Sequence, residues 1–466
     1  MHIRLVSLSP GLILEIFLPP LLFEAAWNLK WRDLKREQVP VGLYAVIGVV
    51  ISVVGIGFIL HQITGIALPT ALLVGASLSA TDPVSVIALF RELGAGKRLT
   101  ILMEGESLLN DGVAVVAFGL LVGTPLGTNQ LTIATTITEF LIVVGIGLGV
   151  GSLIGFGISY LTQRFDLPLV EQSLTLVSAY GTYLLTENLG GSGVIGVVTV
   201  GLILGNFGSR IGMSPRTRLV VTEFWEFLAF FVNSIVFLLI GDQINFASLG
   251  KNLDVIVVTI GALILTRAVA IYGLGGLSNL LANYRIGWRT QMVLLWGGLR
   301  GSVSLALALS LPDVLPGREM IIDIVLGVVL FTLLVQGLTI QLLLQKLGLL
   351  GKQPLRQQYS KAIARRIALR RVLEFLSQVE IAQEIEPEFY RDQLELVQQL
   401  KSLQAEITQL QNQHPFLRTL SVEQLQDKLL NIEADTYAEL TRNGLLDQQL
   451  SPLLEQIIAA REENRP

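Results

Sequence analysis

The chain contains eleven separate stretches that stay apolar for roughly 20 residues, the length of an α-helix that crosses a bilayer. In lipid, a backbone must satisfy its own hydrogen bonds, so an apolar stretch of this length folds as a helix. We therefore predict an all-α polytopic membrane protein with about 11 spans. The stretches lie at about 10–27, 40–60, 69–90, 99–122, 131–160, 168–186, 192–208, 219–241, 253–280, 291–311 and 320–345.

The charged residues divide the chain into two regions. They make up 15% of the 466 residues, against about 25% in soluble domains, and they are sparse up to about residue 345 and dense beyond it. We predict a transmembrane domain over 1–346 and a soluble, helical, cytoplasmic tail over 347–466. The basic, amphipathic segment Ile363–Arg371 is suited to lie against anionic headgroups. The sequence of the tail is compatible with a regulatory domain and with a solvated helical bundle that has no regulatory role.

Lysine and arginine fall almost entirely in alternate loops between the predicted spans. The loops of one set hold only Lys251 and Arg318, and the other set holds all the remaining basic loop residues. Cytoplasmic loops carry the excess of positive charge. The pattern therefore predicts a multi-pass protein of the cell (plasma or inner) membrane, with its C-terminal tail in the cytoplasm.

Several classes of function are excluded by residues that the sequence lacks. It has no Cys and only three scattered His, so thiolate metal sites, Cys nucleophiles and a histidine metal cluster are excluded. It has no Gly-rich loop with the spacing of an ATP-binding site, and its net charge of −4 gives no reason to expect a nucleic-acid partner. We predict a protein that is not an enzyme and carries no cofactor.

Ionisable residues inside two apolar stretches are the strongest indication of function. A charge at mid-bilayer costs at least ~2.5–3.5 kcal/mol, so such a residue faces a polar cavity, pairs with another charge or handles an ion. Thr81 and Asp82 stand directly before Pro83, which breaks a helix and frees backbone carbonyls. A broken helix beside carboxylates at mid-membrane is the arrangement of a secondary transporter's ion site.

The fourth stretch places four polar side chains on one side of a helix. Glu106 and Asn110 are four residues apart, and so are Ser107 and Asp111, so the two pairs form adjacent stripes. Their hard oxygen atoms are suited to a small cation. One carboxylate cannot hold a proton and a cation together, and this competition alone produces exchange. We predict that Asp111 is the carboxylate for which the proton and the cation compete.

A lone arginine among glycines, Arg300, lies in the tenth stretch and needs a carboxylate partner at mid-membrane. Glu106, Asp82 and Asp111 are the candidates by predicted depth. Glu24, in the first stretch, is a further intramembrane acid that either binds the ion or reaches the interface.

Five segments, in order, resemble the monovalent cation/proton antiporter superfamily, and more narrowly its electroneutral sodium/proton exchanger branch. The resemblance covers about residues 8–350, and family members usually have about two further spans before its first segment. The segments are Leu18–Glu24 (LPPLLFE), Ala80–Val84 (ATDPV), Gly105–Asp111 (GESLLND), Gly297–Gly301 (GGLRG) and Phe331–Thr339 (FTLLVQGLT).

The resemblance implies an inverted-repeat fold with two crossed broken helices, in a homodimer. It also implies the roles of the site residues. Asp111 would bind the ion and the proton, with Ser107, the Thr81 backbone and Glu24 as further ligands of the transported cation and Asn110 and Asp82 as close support. Glu106 would pair with Arg300 as a structural bridge.

The expected activity is secondary active, electroneutral exchange of sodium (or lithium or potassium) for a proton, because Asn110 replaces the first Asp of the electrogenic branch. A cation channel or a transport-inactive membrane sensor on the same fold are the alternatives. An intramembrane aspartyl protease using Asp82 and Asp111 fits poorly, because Arg300 and Asn110 would then have no role and no GxGD segment is present.

Overall fold

The computed structural model describes residues 12–82, 84–125, 133–162, 167–209, 212–243, 246–281, 285–349, 353–380, 387–415, 417–418 and 436. The regular elements in these ranges are all helices. After a π-helical turn over Leu12–Phe17, they are α1 (Leu18–Asn28), α2 (Trp31–Arg36), α3 (Gln38–Thr64), α4 (Leu68–Ser77), α5 (Val84–Leu93), α6 (Lys97–Val122), α7 (Ile133–Thr162), α8 (Pro168–Asn188), α9 (Gly193–Gly208), α10 (Pro215–Gln243), α11 (Phe246–Lys251), α12 (Leu253–Leu281), α13 (Trp288–Trp296), α14 (Ser302–Leu309), α15 (Arg318–Leu347), α16 (Gln353–Glu380) and α17 (Pro387–Gln413).

Six of the described helices are long and apolar enough to cross a membrane on their own: α3, α6, α7, α10, α12 and α15. The remaining predicted spans correspond to α1, α8 and α9 and to two pairs of half-helices, α4 with α5 and α13 with α14. Large apolar side chains such as Leu153 and Leu338 are 76% and 73% exposed, as expected of surfaces that face lipid. The predicted all-α multi-pass architecture is confirmed.

The predicted break near Asp82 is present. Helix α4 ends at Ser77 and α5 begins at Val84, directly after Pro83 in the sequence. A second break separates α13 from α14, at residues 297–301, where three of the five residues are glycine. Non-helical backbone at membrane depth is tolerated only where protein or a cavity satisfies it.

The two breaks cross and satisfy each other's backbone. The Asp82 N–H donates to the Leu299 carbonyl at 2.8 Å, and the Ser304 hydroxyl donates to the Ala80 carbonyl at 3.2 Å. A Cβ at Gly301 would overlap the Asp82 carboxylate, so only glycine permits this approach. The two crossed broken helices are therefore a feature of the structure.

Helix α6 carries the GESLLND segment beside the crossing. Its apolar window is 67% buried, the largest share among the six long helices, and it packs against α3, α4 and α9. Helix α1 packs against α9 and α10. The intramembrane acids of α6 are thereby enclosed by other helices instead of facing lipid.

Helices α16 and α17 belong to a second compact unit, distinct from the unit that contains α1–α15. They pack against each other through a buried apolar cluster. Its members are Tyr359, Ala362, Leu403, Ile407, Leu410 and Leu417. The helical character predicted for the tail is confirmed for these two segments.

Candidate ion-binding site

Two side chains of α6 contact the first break at Thr81. The Ser107 hydroxyl donates to the Thr81 carbonyl at 2.5 Å. The Asn110 amide donates to the Thr81 hydroxyl at 2.7 Å and accepts from the Thr81 N–H at 3.3 Å. Because the unwound backbone exposes these groups, side chains satisfy them in place of a helical turn. Thr81, Ser107 and Asn110 thus form one buried hydrogen-bonded cluster.

Asp111 lies next to this cluster with one carboxylate oxygen unused. Its Oδ1 has no hydrogen-bond partner among the described residues. The residue is only 7% exposed. A buried carboxylate oxygen without a partner is costly, so it is a position where a proton or a cation is favourable.

A cavity of about 340 Å³ reaches Asp111 between α6 and the helices α1 and α10. Four of the predicted site residues line it: Asp111, Ser107, Asp82 and Glu24. The volume exceeds by far that of one water molecule, about 30 Å³. A hydrated cation therefore has room to reach the carboxylate.

Asp82 caps one half-helix and lies at the start of the other. Its carboxylate accepts from the Val84 N–H at 3.1 Å, at the start of α5, and lies against Gly301, directly before α14. Each helix start carries a partial positive charge and unsatisfied N–H groups, which a carboxylate neutralises. Asp82 therefore joins the two broken helices where they cross, in addition to lining the cavity.

Glu24 lies across the cavity on α1. It is half-buried, and its carboxylate accepts from the Asn28 amide at 2.6 Å, one helical turn further along. That position puts a second carboxylate on the wall opposite α6.

The predicted ion pair between Glu106 and Arg300 is wrong, because Glu106 pairs with Arg267 instead. Arg267 of α12 binds Glu106 with both terminal nitrogens, at 3.0 Å and 3.3 Å. The same guanidinium donates to the Leu294 carbonyl at 2.8 Å, at the C-terminal end of α13. Arg300, the predicted partner, lies on the non-helical segment between α13 and α14, whereas Arg267 lies on α12.

Arg300 is held by backbone instead. Its guanidinium donates to the Gly298 carbonyl at 2.9 Å, its N–H donates to the Thr332 hydroxyl at 3.1 Å, and its side chain is buried. Its Nε has no hydrogen-bond partner among the described residues.

Ser107 and Asp111 face the large cavity, whereas Glu106 and Asn110 line a second, much smaller one on the other side of α6. This second cavity, of about 10 Å³, is also lined by Tyr44, Ser52 and Arg267. The two stripes predicted from the four-residue spacing thus line different cavities.

Sequence reasoning missed several polar residues of the large cavity, among them Glu104, Glu226 and Asn233. Glu226 and Asn233 stand seven residues apart on α10, which places them on one face. That spacing was a usable signal, although the sequence does not show which face of α10 meets the cavity.

The arrangement can bind one small cation through oxygen atoms and release it to water. The Asp111 carboxylate, the Ser107 hydroxyl and the Thr81 carbonyl are hard ligands brought together at a break in a helix. Protonation of Asp111 would remove the negative charge that holds the cation. Binding of the proton and of the cation at this carboxylate would therefore be mutually exclusive.

Comparison with known proteins shows which family has this architecture. The family model for the sodium/hydrogen exchanger transmembrane domain matches residues 3–346. The chain is 64% identical over 462 residues to the Na+/H+ antiporter ApNhaP of Aphanothece halophytica, covering 99% of this chain and 89% of that protein. It is 57% identical to the low-affinity Na+/H+ antiporter NhaS1 of a Synechocystis strain, covering 97% of this chain and 87% of that protein.

A solved structure shows the same fold. The sodium proton antiporter MjNhaP1 from Methanocaldococcus jannaschii matches with a TM-score of 0.57 and 21% identity, covering 70% of this chain and 81% of that one. This match confirms the antiporter fold predicted from the sequence. With a family model that spans most of the chain and relatives of high identity along nearly all of it, this protein belongs to the sodium/hydrogen exchanger family of transporters.

Proposed function

We propose that this transporter exchanges Na+ for H+, one for one and without net charge movement, by competition of the two ions for Asp111. The observation that carries the proposal is the buried Asp111 Oδ1, which has no partner among the described residues and belongs to a side chain lining the large cavity. Li+ and K+ are further candidate substrates, since oxygen ligands of this kind accept them. Ser107, the Thr81 backbone and Glu24 are the proposed additional ligands, with Asn110 and Asp82 as support.

The contacts support one ionisable site of this kind on α6. The neighbouring position holds Asn110, whose amide is occupied by both the hydroxyl and the N–H of Thr81. An amide adds no proton and no charge to the cycle. A single titrating carboxylate therefore accounts for exchange of one cation against one proton.

The relatives support the same substrates. ApNhaP and NhaS1 are both named as Na+/H+ antiporters, and each aligns with nearly the whole of this chain. A cation channel or a transport-inactive sensor finds no support in these names.

We also propose the placement of the chain in the cell. Basic residues concentrated in alternate loops support a cytoplasmic C-terminal tail, over 347–466, following a transmembrane domain over 1–346 in the plasma or inner membrane. A homodimer is the proposed assembly, as the family resemblance implies.

The proposal is tested in everted membrane vesicles with a pH-sensitive dye. Added Na+ should collapse the proton gradient in wild type, whereas Asp111→Asn should show no response. Asp313→Asn is the matched control, because the same chemical change there falls on a side chain that is 94% exposed. Equal activity of wild type and Asp111→Asn would refute the proposal.

Electrical recording separates exchange from conduction. Purified protein in a solid-supported membrane should give almost no current on a Na+ step while a pH dye reports proton movement. A sustained Na+ current that follows voltage would instead identify a channel.

A further inference from the structure

We propose that one face of α16 docks on the anionic lipid surface of the membrane in which the protein is embedded. This basic face is formed by Lys361, Ala364, Arg365, Ala368 and Arg371. The proposal requires only the membrane location of the chain and does not depend on which ion is exchanged.

The residues of the basic face lie along one stripe of the helix. Their spacings of three and four residues place them on successive turns of the same side. All five are exposed. Three positive charges are thus separated by alanines, which are small enough to let the helix backbone approach a flat surface closely.

The opposite side of α16 is already occupied. Tyr359 and Ala362 are buried against α17, and the Arg366 guanidinium donates to the Gln404 side chain of α17 at 2.6 Å. The orientation of the helix within its own unit is therefore fixed. Packing against α17 turns Lys361, Arg365 and Arg371 outwards.

Within the described part of the unit, the positive charges of the basic face are not neutralised. Among the described residues, Lys361, Arg365 and Arg371 form no ion pair, whereas the neighbouring Arg370 lies 3.5 Å from Glu374. Acidic residues are concentrated on α17, which carries Glu388, Asp392, Glu395 and Glu406. An anionic surface would attract the α16 side of the unit and repel the α17 side.

The length of the connecting chain brings this face within reach of the bilayer. Helix α15, which is long and apolar enough to cross a membrane, ends at Leu347, and α16 begins at Gln353. Five intervening residues span at most about 18 Å when fully extended. Basic segments immediately beyond a membrane span are attracted by anionic headgroups. This proximity favours a lipid surface as the occupant over a soluble partner.

The experiment uses the full-length protein in liposomes and exploits the absence of cysteine from the sequence. Ala368→Cys, at the centre of the basic face, is labelled with the environment-sensitive dye NBD. Ala405→Cys, on the exposed side of α17, is labelled as the matched control. We expect a blue shift, and quenching by doxyl-labelled lipid, for the dye at position 368 in vesicles with 30% phosphatidylglycerol but not in pure phosphatidylcholine.

Charge variants test the cause. Each basic side chain near an anionic surface strengthens binding about fivefold, so the combined change K361Q/R365Q/R371Q should weaken docking about a hundredfold and remove the blue shift. The single change Lys401→Gln, on α17, should leave it intact. Raising the salt concentration to 0.5 M should weaken the shift in the otherwise unmodified chain.

Two outcomes would overturn the proposal. One is equal emission and quenching at position 368 in neutral and anionic vesicles. The other is a change that follows the protein density in the bilayer and not its lipid charge, which would assign the basic face to a second copy of the chain. Na+-dependent proton movement, measured in the same vesicles, shows that each labelled variant is folded.

Discussion

Replacing Arg267 by glutamine should destabilise the membrane unit strongly. The change removes a two-point ion pair with Glu106, whose N–O distances are 3.0 Å and 3.3 Å. It also removes the donor that satisfies the Leu294 carbonyl at 2.8 Å, at the end of a half-helix. Glu106 is 3% exposed, so its charge would be left buried without its partner.

The size of the effect follows from these contacts. Removing one partner of a buried ion pair costs about 3–5 kcal/mol, because the remaining charge is uncompensated. At roughly 2 °C per kcal/mol, the lower end for large domains, the Tm should fall by about 6–10 °C. Glu106→Gln combined with Arg267→Gln should recover part of this loss, because no unpaired charge then remains.

The measurement is a double-mutant cycle on the Tm of detergent-purified protein. The Tm is monitored by fluorescence-detected size-exclusion chromatography. We expect a coupling of about 2 kcal/mol or more between Glu106 and Arg267. The cycle of Glu106→Gln with Arg300→Gln is the control and should give a smaller coupling, since Arg300 is held by the Gly298 carbonyl. A larger coupling to Arg300, or an unchanged Tm for Arg267→Gln, would refute the reasoning.

Three further predictions concern the cavity and the crossing. Ser107→Ala should raise the KM for Na+ up to about tenfold in vesicle assays, which corresponds to the free energy of one hydrogen bond. A KM equal to that of wild type would exclude the hydroxyl as a ligand. Gly301→Ala should abolish folded protein on size exclusion because its Cβ would overlap Asp82, whereas Gly149→Ala, with open space around it, should purify normally. Glu226→Gln should raise the KM for Na+ about threefold at low ionic strength without lowering the maximal rate, because a carboxylate of the cavity wall concentrates cations. At high salt, the KM of this variant should equal that of wild type.

The first broken helix could be predicted from the residues because its cause is local. Pro83 removes a backbone donor and clashes with the preceding turn wherever the chain folds, and the structure starts α5 directly after it. The second break contains no proline and was expected only from the family resemblance. The four-residue spacing on α6 predicted the two stripes correctly, but the expectation that all four side chains share one side of the helix was wrong, because the stripes line different cavities.

The partner of Glu106 could not be predicted for a different reason. Two arginines, Arg267 and Arg300, lie at similar membrane depth, and the choice between them depends on the rotation of α12 and on the path of the second break. Both are set by packing between helices that are far apart in the sequence. The contribution of α10 to the cavity was missed because the seven-residue spacing of Glu226 and Asn233 does not show which face of the helix meets the cavity.

The hydrogen bond between the Asp82 N–H and the Leu299 carbonyl, together with the close approach of the Asp82 carboxylate to Gly301, joins the two broken helices where they cross. Neither break can shift along the membrane normal without disrupting this contact. With Asp111 in its proposed role, its alternating exposure to the two sides would require the crossing and α6 to move together, along the cavity-lined boundary with α1 and α10.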